Sequence, residues 1–139
     1  MRLGPIKARL IEQVPEFKTI AGAPTLAMAM KTGNFTHSAY IFISKVNAEA
    51  NGLVNKISQR VPVEVSVAYW VRNVSDSTGE AALDDVEDLR LAVLEALLGW
   101  TPAEQIEPFL YRGGSVVSSQ FGAVLWADQY VINTYLRRT

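Results

Sequence analysis

The chain has 139 residues, with Lys+Arg 13 against Asp+Glu 14, one histidine and no cysteine. Its length favours one domain with a core of its own, and 49% apolar with only 19% charged residues excludes intrinsic disorder. Balanced charge leaves no global field for nucleic acid or an anionic membrane, and the lack of cysteine excludes disulfides, thiolate zinc sites and cysteine nucleophiles.

The N-terminal segment carries Arg2, Lys7, Arg9 and Glu12 and has no apolar run of the signal-peptide kind. No stretch approaches the roughly 18 apolar residues of a membrane span. The expectation is a soluble single domain over residues 1–139, compatible with a cytosolic origin. A near-neutral, apolar-rich chain of this kind is expected to hide part of its surface in an oligomer, because interface cores are depleted in charge.

Residues 5–15 read as a helix. Pro5 suits its first turn, Ile6, Leu10 and Val14 recur on one face, and Pro15 ends it. Residues 17–20 read as a short strand, 26–30 as an apolar run of either type, and Gly33-Asn34 as a turn. Residues 38–45 read as a strand. The clearest strand is 61–74, with Val63, Val65, Val67, Tyr69 and Val71 on one face and Glu64, Ser66, Ala68, Trp70 and Arg72 on the other. Between these two strands, Asn51-Gly52 is a two-residue hairpin signal. It predicts one long hairpin from about 38 to 72 with a polar projecting tip; the alternative is an irregular loop.

Residues 78–98 form the best helix. Ser77 and Glu80 fit a capping box, acids crowd the first half, and Ala82, Val86, Leu89, Val93, Ala96 and Leu97 make the apolar stripe. Gly99 stands at the C-terminal cap. Residues 108–118 read as a strand broken at Gly113-Gly114, Phe121-Gly122 as a turn, and 123–136 as a closing strand. Strands and helices are grouped rather than alternating. The fold class is therefore α+β, a largely antiparallel sheet backed by one long helix and an N-terminal helix, with an extended hairpin or loop.

Chemistry is sparse. His37 has no positioned partner and reads as a surface residue near a turn. Asp84, Asp85, Glu87 and Asp88 lack the loop spacing of a calcium site and read as a solvated helix face. Arg112-Gly113-Gly114 matches no phosphate loop and reads as a bend or bulge. There is no nucleophile elbow. Tyr69, Trp70, Trp126, Tyr130 and Tyr135 read as sheet packing, part of it in an interface, and Arg137-Arg138 is too short a basic tail to carry a claim. The reading is non-enzymatic, with no catalytic residue, cofactor or metal.

The run 61–102 carries more information. A strand ends in Arg72-Asn73, Asp76 and Gly79 follow, then an acidic amphipathic helix, then Leu97-Leu98-Gly99-Trp100-Thr101-Pro102. A Gly-Gly strand and a Trp-bearing closing strand come later. This arrangement is similar to the small tail-terminator or minor tail proteins of tailed bacteriophages and prophages, the group related to the terminator of lambda-like phages. The resemblance covers most of the chain and is strongest over 61–136. It implies a helix-backed antiparallel sheet and a homo-oligomeric, hexameric ring at the head-proximal end of the tail in the virion. It implies tail-tube protein and a head-completion or neck protein as partners, DNA passing through the lumen without sequence-specific binding, no membrane and no catalytic residue. From polarity and position alone, Asn51, Gly52, Lys56 and Arg60 at the hairpin tip and Arg112 on the Gly-Gly strand are candidate interface residues. One alternative is a head–tail connector or other neck protein. A more distant one is a small ligand-binding or enzymatic α+β domain using His37, Tyr69 and Arg112.

Overall fold

The computed structural model describes residues 1–32, 37–73, 80–103, 105–120 and 122–139. In chain order the elements are α1 (Gly4–Gln13), β1 (Thr19–Gly22), α2 (Leu26–Thr32), β2 (Ser38–Val46), β3 (Ile57–Arg72), α3 (Glu80–Leu97), β4 (Leu110–Gln120) and β5 (Ala123–Arg138). The five strands form one sheet in the order β1-β2-β3-β5-β4. All neighbours are antiparallel except β1 and β2, which run parallel. The expected α+β class holds, with a mixed sheet. A parallel pair needs a crossover connection, and α2 supplies it, which resolves the apolar run at 26–30 as helix.

The alternation in β3 divides the molecule. Val63, Val65, Val67, Tyr69 and Val71 face the main core, together with Ala39 and Ile41 of β2 and Val124, Tyr130 and Ile132 of β5. Two helices cover this face. Ile6 and Leu10 of α1 are buried there, as are Ala82, Val86, Leu89, Val93, Ala96 and Leu97 of α3, the same stripe the periodicity predicts. The helices are tied together where Arg9 Nε donates to Ala96 O at 2.9 Å. On the opposite face α2 packs Leu26 and Ala29 over Tyr40, Phe42, Ala68, Trp70 and Leu125, forming a second, smaller core. Gly99 closes α3 at φ +78°, a left-handed cap that glycine adopts without strain. Its N–H then bonds Phe109 O at 3.0 Å.

Three expectations are corrected. β4 is not broken at Gly113-Gly114; it runs through, with irregular register between Tyr111 and Gly113 and again between Val116 and Ser118. The reading of Arg112-Gly113-Gly114 as a bend or bulge in the strand is the one observed. Asn51-Gly52 is not the hairpin turn, because the chain reverses further out, around Leu53–Lys56, where Asn55 takes φ +63°. The tip is also not simply polar, since Leu53 and Val54 are exposed there. The Gly33-Asn34 turn, the capping box at Ser77 and Phe121 of the last turn lie outside the described residues.

Buried tyrosines link the fold to pH. Burial, reinforced by neighbouring Tyr130 and Asp128, pushes the Tyr69 hydroxyl well above its usual range. Burial likewise raises Tyr130, with Asp128 adding to the effect. Both stay protonated in the folded state at a pH where the unfolded chain ionises. This contribution to stability is complete below about pH 10, the ordinary tyrosine value, and is lost as pH rises from there towards the raised values. Unfolding by urea across that range should show a loss of about 1.4 kcal/mol per pH unit for each of the two tyrosines. A Tyr69→Phe, Tyr130→Phe variant should flatten the slope. An unchanged slope would show that these hydroxyls are not the source.

Candidate assembly surfaces

β3 and β5 outrun the core. The cluster under the helices has its last members along these strands at Val63 and Ile132, and Val61 is the last buried apolar side chain on β3, yet pairing continues from Arg60↔Tyr135 to Ile57↔Arg138. Residues 47–52 follow alongside β3, with Asn47 N–H donating to Pro62 O at 3.1 Å, Glu49 N–H to Arg60 O at 2.8 Å and Gly52 N–H to Ser58 O at 3.1 Å. The result is a projecting arm of three chain segments. The sequence supplied two of them. The third, the end of β5, was missed because Arg137-Arg138 reads as a tail; they pair with Ser58 and Ile57.

Local polar contacts shape the arm. Asn51 Nδ2 donates to Leu53 O at 2.9 Å and Lys56 O at 2.8 Å, while its Oδ1 accepts from Ser58 N–H at 2.8 Å. One side chain thus spans the loop. Arg60 forks onto Glu49 through Nε and through NH2, the latter at 3.0 Å from Oε1. That hydrogen bond, together with the charge of Glu49, holds the Arg60 guanidinium above its ordinary value. Thr134 Oγ1 donates to Val61 O at 2.8 Å. The arm also leaves apolar side chains in the open. Val54 is 86% exposed, and Val46, Leu53, Ile57 and Leu136 are also exposed. Beside them a shallow groove of about 410 Å³ is lined by Leu53, Lys56, Ile57, Ser58, Arg137, Arg138 and Thr139.

Asn51, Gly52, Lys56 and Arg60 are brought together on this arm. Arg112 is not with them. It sits on β4 between Tyr111 and Gly113, which pair with Tyr130 and Gln129, whereas Arg60 pairs with Tyr135. Its NH1 lies 3.7 Å from Glu64 Oε2. The three residues of the ligand-pocket alternative do not converge. Tyr69 is fully buried under the helices, Arg112 is exposed beside Glu64, and His37 Nε2 lies 3.9 Å from Asp85 Oδ2. Among the described residues no group of three or more His, Asp or Glu side chains is placed to hold a metal, and no helix is long and apolar enough to cross a membrane.

The second surface is the outer face of α3. Glu80, Leu83, Asp84, Glu87, Asp88, Leu91 and Glu95 are exposed along it. What fixes its rotation is a buried polar network that sequence reasoning missed. Asp128, fully buried on β5, accepts Arg90 Nε at 3.0 Å on Oδ2 and, on Oδ1, Tyr111 OH at 3.0 Å and Trp126 Nε1 at 2.9 Å. Arg90 NH2 donates to Tyr111 OH at 2.7 Å and NH1 to Glu87 Oε2 at 2.8 Å. Its guanidinium lies 4.5 Å from the Trp126 ring centroid, over the face. Burial works against the Arg90 charge, but Asp128 and Tyr111 outweigh it and hold the guanidinium above its ordinary range. The one signal available was an aspartate inside an apolar closing strand.

The family model described as phage tail terminator protein matches residues 1–139, the whole chain. No curated protein matches it. The chain belongs to the phage tail terminator family, and its role is a structural one in the phage tail, as a component of the virion.

Proposed function

We propose that this chain assembles into a homo-oligomeric ring, a hexamer, that caps the head-proximal end of the tail tube. The ring ends tube polymerisation and offers the joining surface to the head or neck, while DNA passes through its lumen without being read. Assembly takes place in the host bacterial cytoplasm. The observation that carries this reading, beyond family membership, is the arm. A paired, projecting element with Leu53, Val54, Ile57 and Leu136 in the open presents apolar surface that a lone subunit leaves wet. An arm on one side of a subunit and its receptor elsewhere make a heterologous contact, which closes into a ring when the rotation allows.

The test is to add the purified chain to tail-tube protein of its own phage during polymerisation and to image the products by electron microscopy. Tubes of uniform length with ring density at one end are expected. Val54→Asp should abolish the end density while leaving stability within about 0.5 kcal/mol, because the position is on the surface. Scattered tube lengths with bare ends would sink the terminator role, and binding to a portal-side protein instead would assign the chain to the neck.

A further inference from the structure

The arm and the outer face of α3 are complementary, and we propose that they are the two halves of one intersubunit contact: the arm of one copy docks along α3 of the next. This rests on the ring reading and names the surfaces that build it.

The arm presents an apolar groove with cations on its rim. Leu53 and Ile57 contribute to it, and Lys56, Arg137 and Arg138 border it. Helix α3 presents the converse, an exposed apolar ridge among carboxylates. Leu83 and Leu91 are 40% and 55% exposed, and Asp84, Glu87, Asp88 and Glu95 surround them on the same face. Spacing of three and four residues along a helix makes these side chains neighbours. Leu91 entering the groove would bring Asp88 and Glu95 to the arm's cations. Opposite charge around an apolar centre is the arrangement that sets register and rejects wrong partners. The contact is between copies. The core under α3 ends at Val63 and Ile132, and the arm runs on beyond it, so an arm does not fold back onto its own helix. Two different patches make a head-to-tail contact, the kind a ring requires.

The absence of cysteine makes a direct test clean. Leu53→Cys and Leu91→Cys are each placed alone in the full chain, both at exposed positions. The two variants are mixed and oxidised, with and without tail tubes. Disulfide-linked dimers are expected from the mixture, and a ladder of multimers from the chain carrying both. Leu53→Cys mixed with Ile11→Cys, an exposed position on α1, should give background only. Separately, Arg137→Glu with Arg138→Glu should weaken association about tenfold, the scale of two rim ion pairs. Adding Asp88→Lys and Glu95→Lys to that chain should restore association. Rings that form on tubes without the Leu53–Leu91 cross-link, or that tolerate R137E/R138E unchanged, overturn this contact and leave the ring standing. A chain that stays monomeric both alone and on tubes overturns both.

Discussion

Replacing Arg90 by methionine should destabilise the protein by about 3 kcal/mol, the lower end of the 3–5 kcal/mol typical for breaking a buried ion pair. For a chain this size that is a fall of roughly 10 °C in Tm. The reason lies with what stays behind. Asp128 is fully buried, and Arg90 is the cation that hydrogen-bonds it. Methionine fills much of the same space and removes the charge. Trp126 Nε1 and Tyr111 OH still donate to Oδ1, which is why the loss falls at the lower end. The double variant Arg90→Met, Asp128→Leu removes both charges and should recover most of the stability, since an apolar replacement of a buried pair is often neutral. Thermal or urea unfolding of the two single variants and the double distinguishes the cases. A near-neutral Arg90→Met would mean the carboxylate is not held in this environment. Because Arg90 neighbours Leu91 on α3, the same substitution should also lower the Leu53–Leu91 cross-linking yield at temperatures where the variant is folded.

The most legible parts of the sequence were those with a simple period. The α3 stripe and the two faces of β3 depend only on which residues avoid water, and a period of 3.6 or 2 reports that directly. The turn of the long hairpin was not legible in the same way. Asn51-Gly52 has the composition of a two-residue turn, but the register of a strand pair is set by the faces it must bury. Ile41 pairs with Val67 and Ala39 with Tyr69, all on the main core. A reversal centred on Asn51-Gly52 would bring Ile41 opposite Pro62 and Tyr40 opposite Val63, setting residues of opposite faces side by side. The sheet therefore moves the reversal outward, and Asn51 serves the loop through its side chain instead.

The candidate surfaces were legible only in part. Lys56 and Arg60 are candidates because they flank a turn signal, and the fold places both on the arm. The end of β5 was lost because polarity at a chain end reads as a tail, although Tyr135 to Arg138 pair in register with Arg60 to Ile57. The buried network was lost for a different reason. Arg90 lies on a helix, Tyr111 on β4, and Trp126 and Asp128 on β5, and no spacing along the chain announces that they meet. The acids on α3 were read as a solvated face complementing the helix dipole. Exposed Asp84 and Asp88 fit that reading, whereas Asp85 accepts Asn73 Nδ2 at 3.1 Å and Glu87 accepts Arg90 NH1 at 2.8 Å; none of this conflicts with the exposed acids facing a basic arm on a neighbour.

Gly114→Ala should be the most damaging single-methyl addition on β4. The new Cβ would collide with Asp128 Oδ1 and lie 2.8 Å from Trp126 Nε1 and 2.9 Å from Ala127 O. The last is backbone and the first two are joined by the hydrogen bond that anchors the network. Neither can retreat without breaking a contact already counted on for stability. Overpacking alone costs about 1–3 kcal/mol, and the displaced carboxylate brings the expected loss to about 3 kcal/mol. Neighbouring Gly113 separates the mechanisms. It stands at φ +144° with open space where a Cβ would go, so Gly113→Ala carries backbone strain alone, about 1–3 kcal/mol. Truncating the aspartate tests the cause. In an Asp128→Ala background the penalty of Gly114→Ala should shrink, while that of Gly113→Ala should not change. Denaturant unfolding of these variants gives the coupling directly. A Gly114→Ala protein within about 0.5 kcal/mol of wild type would show that Asp128 does not lie against β4. In that case the polar anchor holding α3 to the sheet would have to be sought elsewhere.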